Sequence, residues 1–415
     1  MLETLRDALK TQEMRKKILF TLVMFLIFRI GSHIPVPGID KAQIAELIER
    51  ISLLGFFDTI SGSALTNVSI FAMSITPYIN ASIIIQLLTV IFPRLEAIAK
   101  DDRKKIVEYT RYLTVVLGFI QAIGLSFGLR SALTDTSFMS ISIIVLSLTA
   151  GTACLMWIGE MITEKGIGNG ISLIIFAGIV SRIPGGIAYL IEYAKQGAMN
   201  ILFILIFLVL ALAAIVFVII VNQGERRVPV QYAKRVVGRK MYGGQSTHIP
   251  IKVNSAGVIP VIFAMSLMFF PGTIASFFPE NAVAMWISQH FTFTNIGYNL
   301  VYALLILFFT YFYSSITFNP IDVADNIRKN GGFIPGIRPG RPTSEYIMKV
   351  MSRITFFGGL FLALIAVLPA IIMAFGNMNI YFGGTSLLIV VGVAIDTMKQ
   401  IESNMMMRNY EGFMK

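Results

Sequence analysis

Apolar and polar stretches alternate along the whole chain. Ten apolar stretches stand out, at residues 18–33, 68–91, 106–128, 138–159, 168–189, 200–221, 255–278, 297–316, 350–374 and 380–398. Most reach the roughly 20 residues that a helix needs to cross about 30 Å of hydrocarbon. The fourth, sixth and ninth are uniformly apolar, whereas the first, second and fifth are polar or glycine-rich. The second begins badly. A short apolar piece at 55–60 cannot cross a bilayer, Ser61, Gly62 and Ser63 break it, and the span that follows carries Thr76, Pro77, Asn80 and Gln86. Broken backbone and amides at membrane depth are tolerated only where protein or water covers them, so this segment is expected to line a cavity.

Composition turns the pattern into a class. The chain is 55% hydrophobic and 14% charged, against about 25% charged in a soluble domain, and its mean hydropathy is +0.75. This is the profile of an all-α polytopic membrane protein without a separate soluble domain. The first apolar run follows a basic stretch but has no small-residue cleavage site after it, so it reads as a retained span.

Lysine and arginine set the orientation, because they are kept on the cytoplasmic side. Most of the 34 basic residues fall before the first span, after each even-numbered span up to the eighth, and after the tenth. The facing loops hold Lys41, Arg50, Arg130, Arg182 and Lys195. Both termini are therefore expected on the cytoplasmic side, where the net charge of +11 is concentrated. Basic residues of this kind fix topology and bind anionic lipid. The loops at 222–254 and 319–349 are longer than an orientation signal requires, and their glycine and proline turns suit docking to an acidic macromolecule.

Ten spans divide into two sets of five, 1–190 and 191–415. Because five is odd, halves of like fold would form an inverted repeat, with a pathway at their interface. The divide is expected in an external loop near 181–200.

The sequence excludes several chemistries. Cys154 is the only cysteine, so no intrachain disulfide is possible. His33, His248 and His290 are scattered, without metal-ligand spacing. No phosphate-binding loop, Gly-x-Ser-x-Gly or His-Glu-x-x-His motif occurs, which argues against an enzyme and leaves no cofactor to expect. Ionisable residues deep in spans would mark a proton relay, but Glu160, Asp396 and Arg29 fall near span ends. This counts against a proton-coupled secondary transporter, the runner-up reading. A scaffold without a pore is a third and would require 61–88 to pack dry.

Isoleucines recur at helical spacing beside small or polar residues. Ile75 and Ile79 are four apart, as are Ile171 and Ile175 behind the GIGNG run at 166–170. Such pairs are either ordinary packing or part of a hydrophobic constriction that dewets a narrow pore, and spacing alone does not choose. Asn80, Gln86 and Asn254 are either structural glue between helices or a polar seam that opens.

Several longer strings decide the matter. FRIGSHIPVPG at 28–38, PYINASIIIQLL at 77–88, ITEKGIGNGIS at 162–172, YAKR at 232–235, QSTHIPIKVN at 245–254, GFIPGIRPG at 332–340 and YFGGTSLLIV at 381–390 run in order over nearly the whole chain, and together they resemble the bacterial SecY family of protein-conducting channel subunits. The resemblance implies two five-helix halves around an hourglass pore in the bacterial cytoplasmic membrane. Unfolded preproteins would cross it, and hydrophobic segments or signal peptides would leave sideways into lipid. It adds Ile262 and Ile389 to Ile75, Ile79, Ile171 and Ile175 as a pore ring. It implies a plug, a short helix near 57–67 that includes Phe57, Ile60, Ser61, Gly62, Ala64 and Leu65. A lateral gate would lie between the second and seventh spans, with Asn80, Gln86 and Asn254 near its seam. Arg239, Lys240 and Arg338 would dock the ribosome or the motor ATPase SecA, and SecE and SecG would be small membrane partners.

Overall fold

The computed structural model describes residues 6, 9–40, 43–44, 58, 61–129, 132–133, 135, 137–195, 201–232, 235–237, 240–242, 246–276, 281–291, 295–376 and 384–413. A helix lies at the centre of each of the ten apolar stretches. In chain order these are α1 Gln12–Gly31, α2 Thr76–Ile91, α4 Arg103–Gly128, α5 Phe138–Lys165, α6 Gly170–Lys195, α7 Ile201–Gln223, α8 Ile259–Ser276, α10 Ile296–Thr317, α12 Arg341–Gly376 and α13 Gly384–Phe413. Shorter helices join them: α3 Pro93–Asp101, α9 Ala282–His290 and α11 Pro320–Lys329. Among the described residues, five helices are long and apolar enough to cross a membrane on their own, and a sixth span results if α2 and α3, bent by 110° at their junction, count as one.

The ends of these helices follow local chemistry. Pro93 opens α3, and Phe92 before it is extended, the conformation favoured in a residue preceding proline. Asp102 caps α4 by accepting from the Lys104 amide, which satisfies one of the orphan donors of the first turn. The 36 residues of α12 run to about 54 Å at 1.5 Å per residue, so this helix extends beyond the hydrocarbon.

Three expectations are revised. The second helix starts at Thr76 rather than 68, and residues 62–75 form a chain of turns. Helix α6 runs through Pro184 to Lys195, so Arg182, assigned to a facing loop, is helical, and residue 190, taken as the divide, lies within the helix. The two long basic loops also contain strands: β1 Glu225–Tyr232, β2 Arg235–Val237, β3 Lys240–Tyr242, β4 Ser246–Lys252 and β5 Gly332–Phe333. The first loop supplies β1 and β4, the second adds β5, and the sheet order is β4-β1-β5. Val228 and Val230 face inward and pack with Ile251, Ile327, Ile334 and Ile347, while the residues alternating with them face out. Pro229 lacks an amide donor and sits where β5, paired only with Gln231 and Tyr232, does not reach.

The spanning helices pack in two groups. Helices α1, α2, α4, α5 and α6 contact one another, as do α7, α8, α10, α12 and α13. The groups meet along two seams, α8 against α2 and α4, and α13 against α6. Gly151 of α5 admits the carbonyl of Ile70, which a Cβ would strike; this contact seats the turn segment against α5. Gly151→Val should therefore overpack the site by about 1–3 kcal/mol, read as a lower thermal unfolding midpoint in detergent, with Gly118→Ala, which meets only ordinary contacts at 3.7 Å or more, close to the parent.

Candidate functional site

The structure brings all six ring candidates into one apolar cluster where the two helix groups meet. Ile75 is the N-cap of α2, and its carbonyl accepts from the Ile79 amide at 3.1 Å. Ile171 and Ile175 lie in the first turns of α6, which Asn169 caps by accepting from the Ser172 amide at 3.1 Å. Gly168 turns the chain into that cap at φ +82°. Ile262 comes from α8 and Ile389 from α13. Ile75, Ile79, Ile175, Ile262 and Ile389 are all at most 6% exposed, and Ile171 packs half-buried against them. Branched apolar side chains from both groups thus belong to one continuous cluster with no charged member, which is a physical requirement for a dewetted constriction.

The turn segment packs against this cluster. Ala64 is fully buried within it, while Leu65 joins a second apolar cluster with Val36, Met73, Ile144 and Leu148. Gly62 and Ser61 are buried as well. Phe57 and Ile60 lie outside the described residues. Polar contacts hold the near end of the segment. The Asp58 carboxylate, 0% exposed, faces Arg182 at 3.1 Å and accepts from the amide and hydroxyl of Thr66 at 2.8 and 2.6 Å. Ser61 donates to the Asp58 carbonyl at 3.1 Å. Arg29 of α1 donates to the Gly62 carbonyl at 2.8 Å and to the Ser181 hydroxyl at 3.2 Å. Sequence reasoning missed this group. It treated Arg29 and Arg182 as terminal or loop charges and did not single out Asp58; the available signal was one acid and two bases near span ends on the same side.

The gate amides are placed differently from one another. Asn80 is buried in α2. Gln86 donates to Ser82 of its own helix at 2.9 Å. Asn254, in the turn before α8, donates to Asn222 at the end of α7 at 2.6 Å. The bonds of Gln86 and Asn254 thus stay within one helix group, although α2 and α8 themselves touch. Glu160 pairs with Arg111 at 2.8 Å and ties α5 to α4. Among the docking candidates, Lys240 opens β3, and Arg338 is exposed in a turn where Gly336 and Gly340 take positive φ. Arg239 lies outside the described residues.

The comparisons with known proteins converge. The SecY family model matches residues 69–398. The chain is 49% identical to the protein translocase subunit SecY of Halalkalibacterium halodurans over 431 residues, covering all of both chains. The fold is similar to that in a solved structure on the SecY plug domain, which stabilises that channel's closed state and maintains a membrane seal, with a TM-score of 0.68 at 18% identity, covering 94% of this chain and 92% of the other. It is also similar to Sec61 in the canine ribosome-channel complex, with a TM-score of 0.64 at 18% identity and the same coverage.

Burial makes these isoleucines energetically expensive to truncate. Ile175→Ala should cost about 2–5 kcal/mol in denaturant unfolding in detergent, and half-buried Ile171→Ala clearly less; equal costs would contradict the packing described.

Proposed function

The chain belongs to the SecY family, and on that premise we propose that it is the multi-pass, protein-conducting subunit of a translocon in the bacterial cytoplasmic membrane, with both termini in the cytoplasm. One observation supports this reading most: six isoleucines from both helix groups meet in a single uncharged cluster at the interface of those groups. A seal of this chemistry blocks ions without binding them and reads no sequence, which suits passage of unfolded preproteins of any composition. In this reading Ile75, Ile79, Ile171, Ile175, Ile262 and Ile389 form the constriction, and the segment near 57–67 is the plug. Hydrophobic segments and signal peptides leave to lipid between α2 and α8, the seam near Asn80, Gln86 and Asn254.

The pore itself is passive, and partners supply the work. The basic stretches at 222–254 and 319–349, which carry Arg239, Lys240 and Arg338, dock the motor ATPase SecA or the ribosome. SecE and SecG accompany it in the membrane, and anionic lipid binds the remaining basic face. The packing of β5 from one loop onto β1 of the other favours docking over simple lipid anchoring, because lipid attraction needs charge but no rigid frame.

Two measurements test the proposal. Serine at Ile79, Ile262 and Ile389 together should raise ion conductance of the idle reconstituted channel by roughly tenfold, which corresponds to about 1.4 kcal/mol off the barrier; unchanged conductance would remove the ring assignment. Arg338→Glu should lower motor-dependent preprotein transport and motor affinity together, with thermal stability unchanged. Wild-type affinity and transport in that variant would leave the loop as a lipid anchor.

A further inference from the structure

Helix α6 presents one stripe of side chains with two different jobs. Ile171, Ile175, Gly178 and Arg182 fall at i, i+4, i+7 and i+11, the repeat of a single helix face. The first two belong to the apolar constriction. The last two meet the turn segment: Gly62 lies so close to Gly178 that a Cβ on Gly62 would be 2.9 Å from the Gly178 Cα, and Arg182 pairs with Asp58 at 3.1 Å. Gly62 also has φ +68°, a conformation that side chains rarely adopt. Ser181, beside Arg182, accepts from Arg29 of α1 and donates to the Gly178 carbonyl at 2.7 Å.

We infer that Asp58, Arg182 and Arg29 are positioning residues that clasp the turn segment beginning at Ser61 to α6 and α1 and so hold the channel closed, coupling the seat of that segment to the width of the constriction. The inference rests on reading the segment as the plug. Its physics is that of a buried carboxylate. Asp58 has no exposed surface while the Arg182 side chain is 31% exposed, so the acid depends on its protein partners, whereas the base also has water available. A buried charge stripped of one partner is strongly destabilised, and the segment escapes that state by leaving its seat. Arg29 clasps the next turn through the Gly62 carbonyl. Because ring and clasp share one helix face, a shift of α6 that widens the ring also draws Arg182 from Asp58.

The test uses the full chain in proteoliposomes with two readouts, hydrogen exchange of the amides between 63 and 70 and ion leak of the idle channel. Arg182→Ala should speed exchange and raise leak, each by about tenfold or more. Arg182→Lys should recover most of both. Asp58→Asn, which keeps an acceptor for the Thr66 amide, should have a smaller effect, and adding it to Arg182→Ala should lessen the single-variant defect because no orphan carboxylate is left. Unchanged exchange in Arg182→Ala overturns the clasp and leaves the plug reading standing. Faster exchange with unchanged leak overturns the plug reading and this inference with it. If Arg182→Ala does not fold, Asp58→Asn against Arg182→Lys carries the same comparison: equal exchange and leak in the two, both at the parent level, overturns the clasp.

Discussion

Non-helical backbone at membrane depth has no water to bond with, and each unsatisfied amide or carbonyl there costs several kcal/mol. Residues 62–75 are non-helical backbone packed among apolar helices, where water is likewise excluded. The segment satisfies itself locally where it can. The amides of Ser63, Asn67, Val68, Ser69, Ala72 and Ser74 donate to carbonyls within 58–71, and those of Thr66 and Phe71 to the side chains of Asp58 and Ser69. The remainder is borrowed from neighbours. Ile70 donates to the Ile34 carbonyl and Val36 to the Val68 carbonyl, so the loop after α1 serves as a partner strand. Ser63, Val68 and Ser74 nonetheless take positive φ, and for a β-branched residue such as Val68 that is strained. A strained, self-bonded segment is held by its surroundings rather than by its own conformational preference.

Those surroundings are what tie the segment to the isoleucine cluster. Ala64 packs into the same cluster as the six isoleucines, and Gly31 meets the Phe71 ring closely, so α1, α5 and α6 all contribute to the seat. The helix groups meet through α2 against α8 and α6 against α13. All four of those helices carry or begin beside a candidate isoleucine, and α2 and α6 also adjoin the turn segment. An apolar junction is suited to this position. Dispersion and close packing hold it shut, yet no ion pair among the ring isoleucines has to be broken when the groups move apart.

How much of this could be read from residues alone depended on sequence distance. The helices were legible because lipid forces every span to bond internally, and ten apolar stretches leave few alternatives. The start of α2 was not read correctly, although Thr76-Pro77 is a good helix opening. Hydropathy runs through 68–75 without a break, and it does not distinguish an apolar turn covered by helices from an apolar helix. Ile75, Ile79, Ile171 and Ile175 could be paired by spacing because polar and glycine residues flank them. Ile262 and Ile389 have no isoleucine four residues away to pair with, and only resemblance to a family singled them out. The strand β1 was visible in principle, since Val228 and Val230 alternate with Arg227, Pro229 and Gln231. Its pairing with Gly332 and Phe333 was not, because no local pattern specifies a partner about a hundred residues away. The same limit hid Asp58 from Arg182.

The sheet completes the mechanical picture, since a force applied there reaches the isoleucine cluster only through the elements between them. β4 leads through a short turn directly into α8, which carries Ile262, and the Val253 amide in that turn bonds to the Gly224 carbonyl just after α7. Asn254 in the same turn holds Asn222, and Gly358 of α12 admits the Val253 carbonyl at a distance no larger residue would allow. The turn is therefore fixed to α7 and α12 at once. α11 and Ile334, which follows β5, rest on the same apolar core as β1, and α11 packs on α12. A load applied to the sheet thus passes into α7, α8 and α12 together instead of bending one loop. The contacts between this helix group and α2, α4 and α6 lie beyond that shared frame, and around the six isoleucines they are apolar.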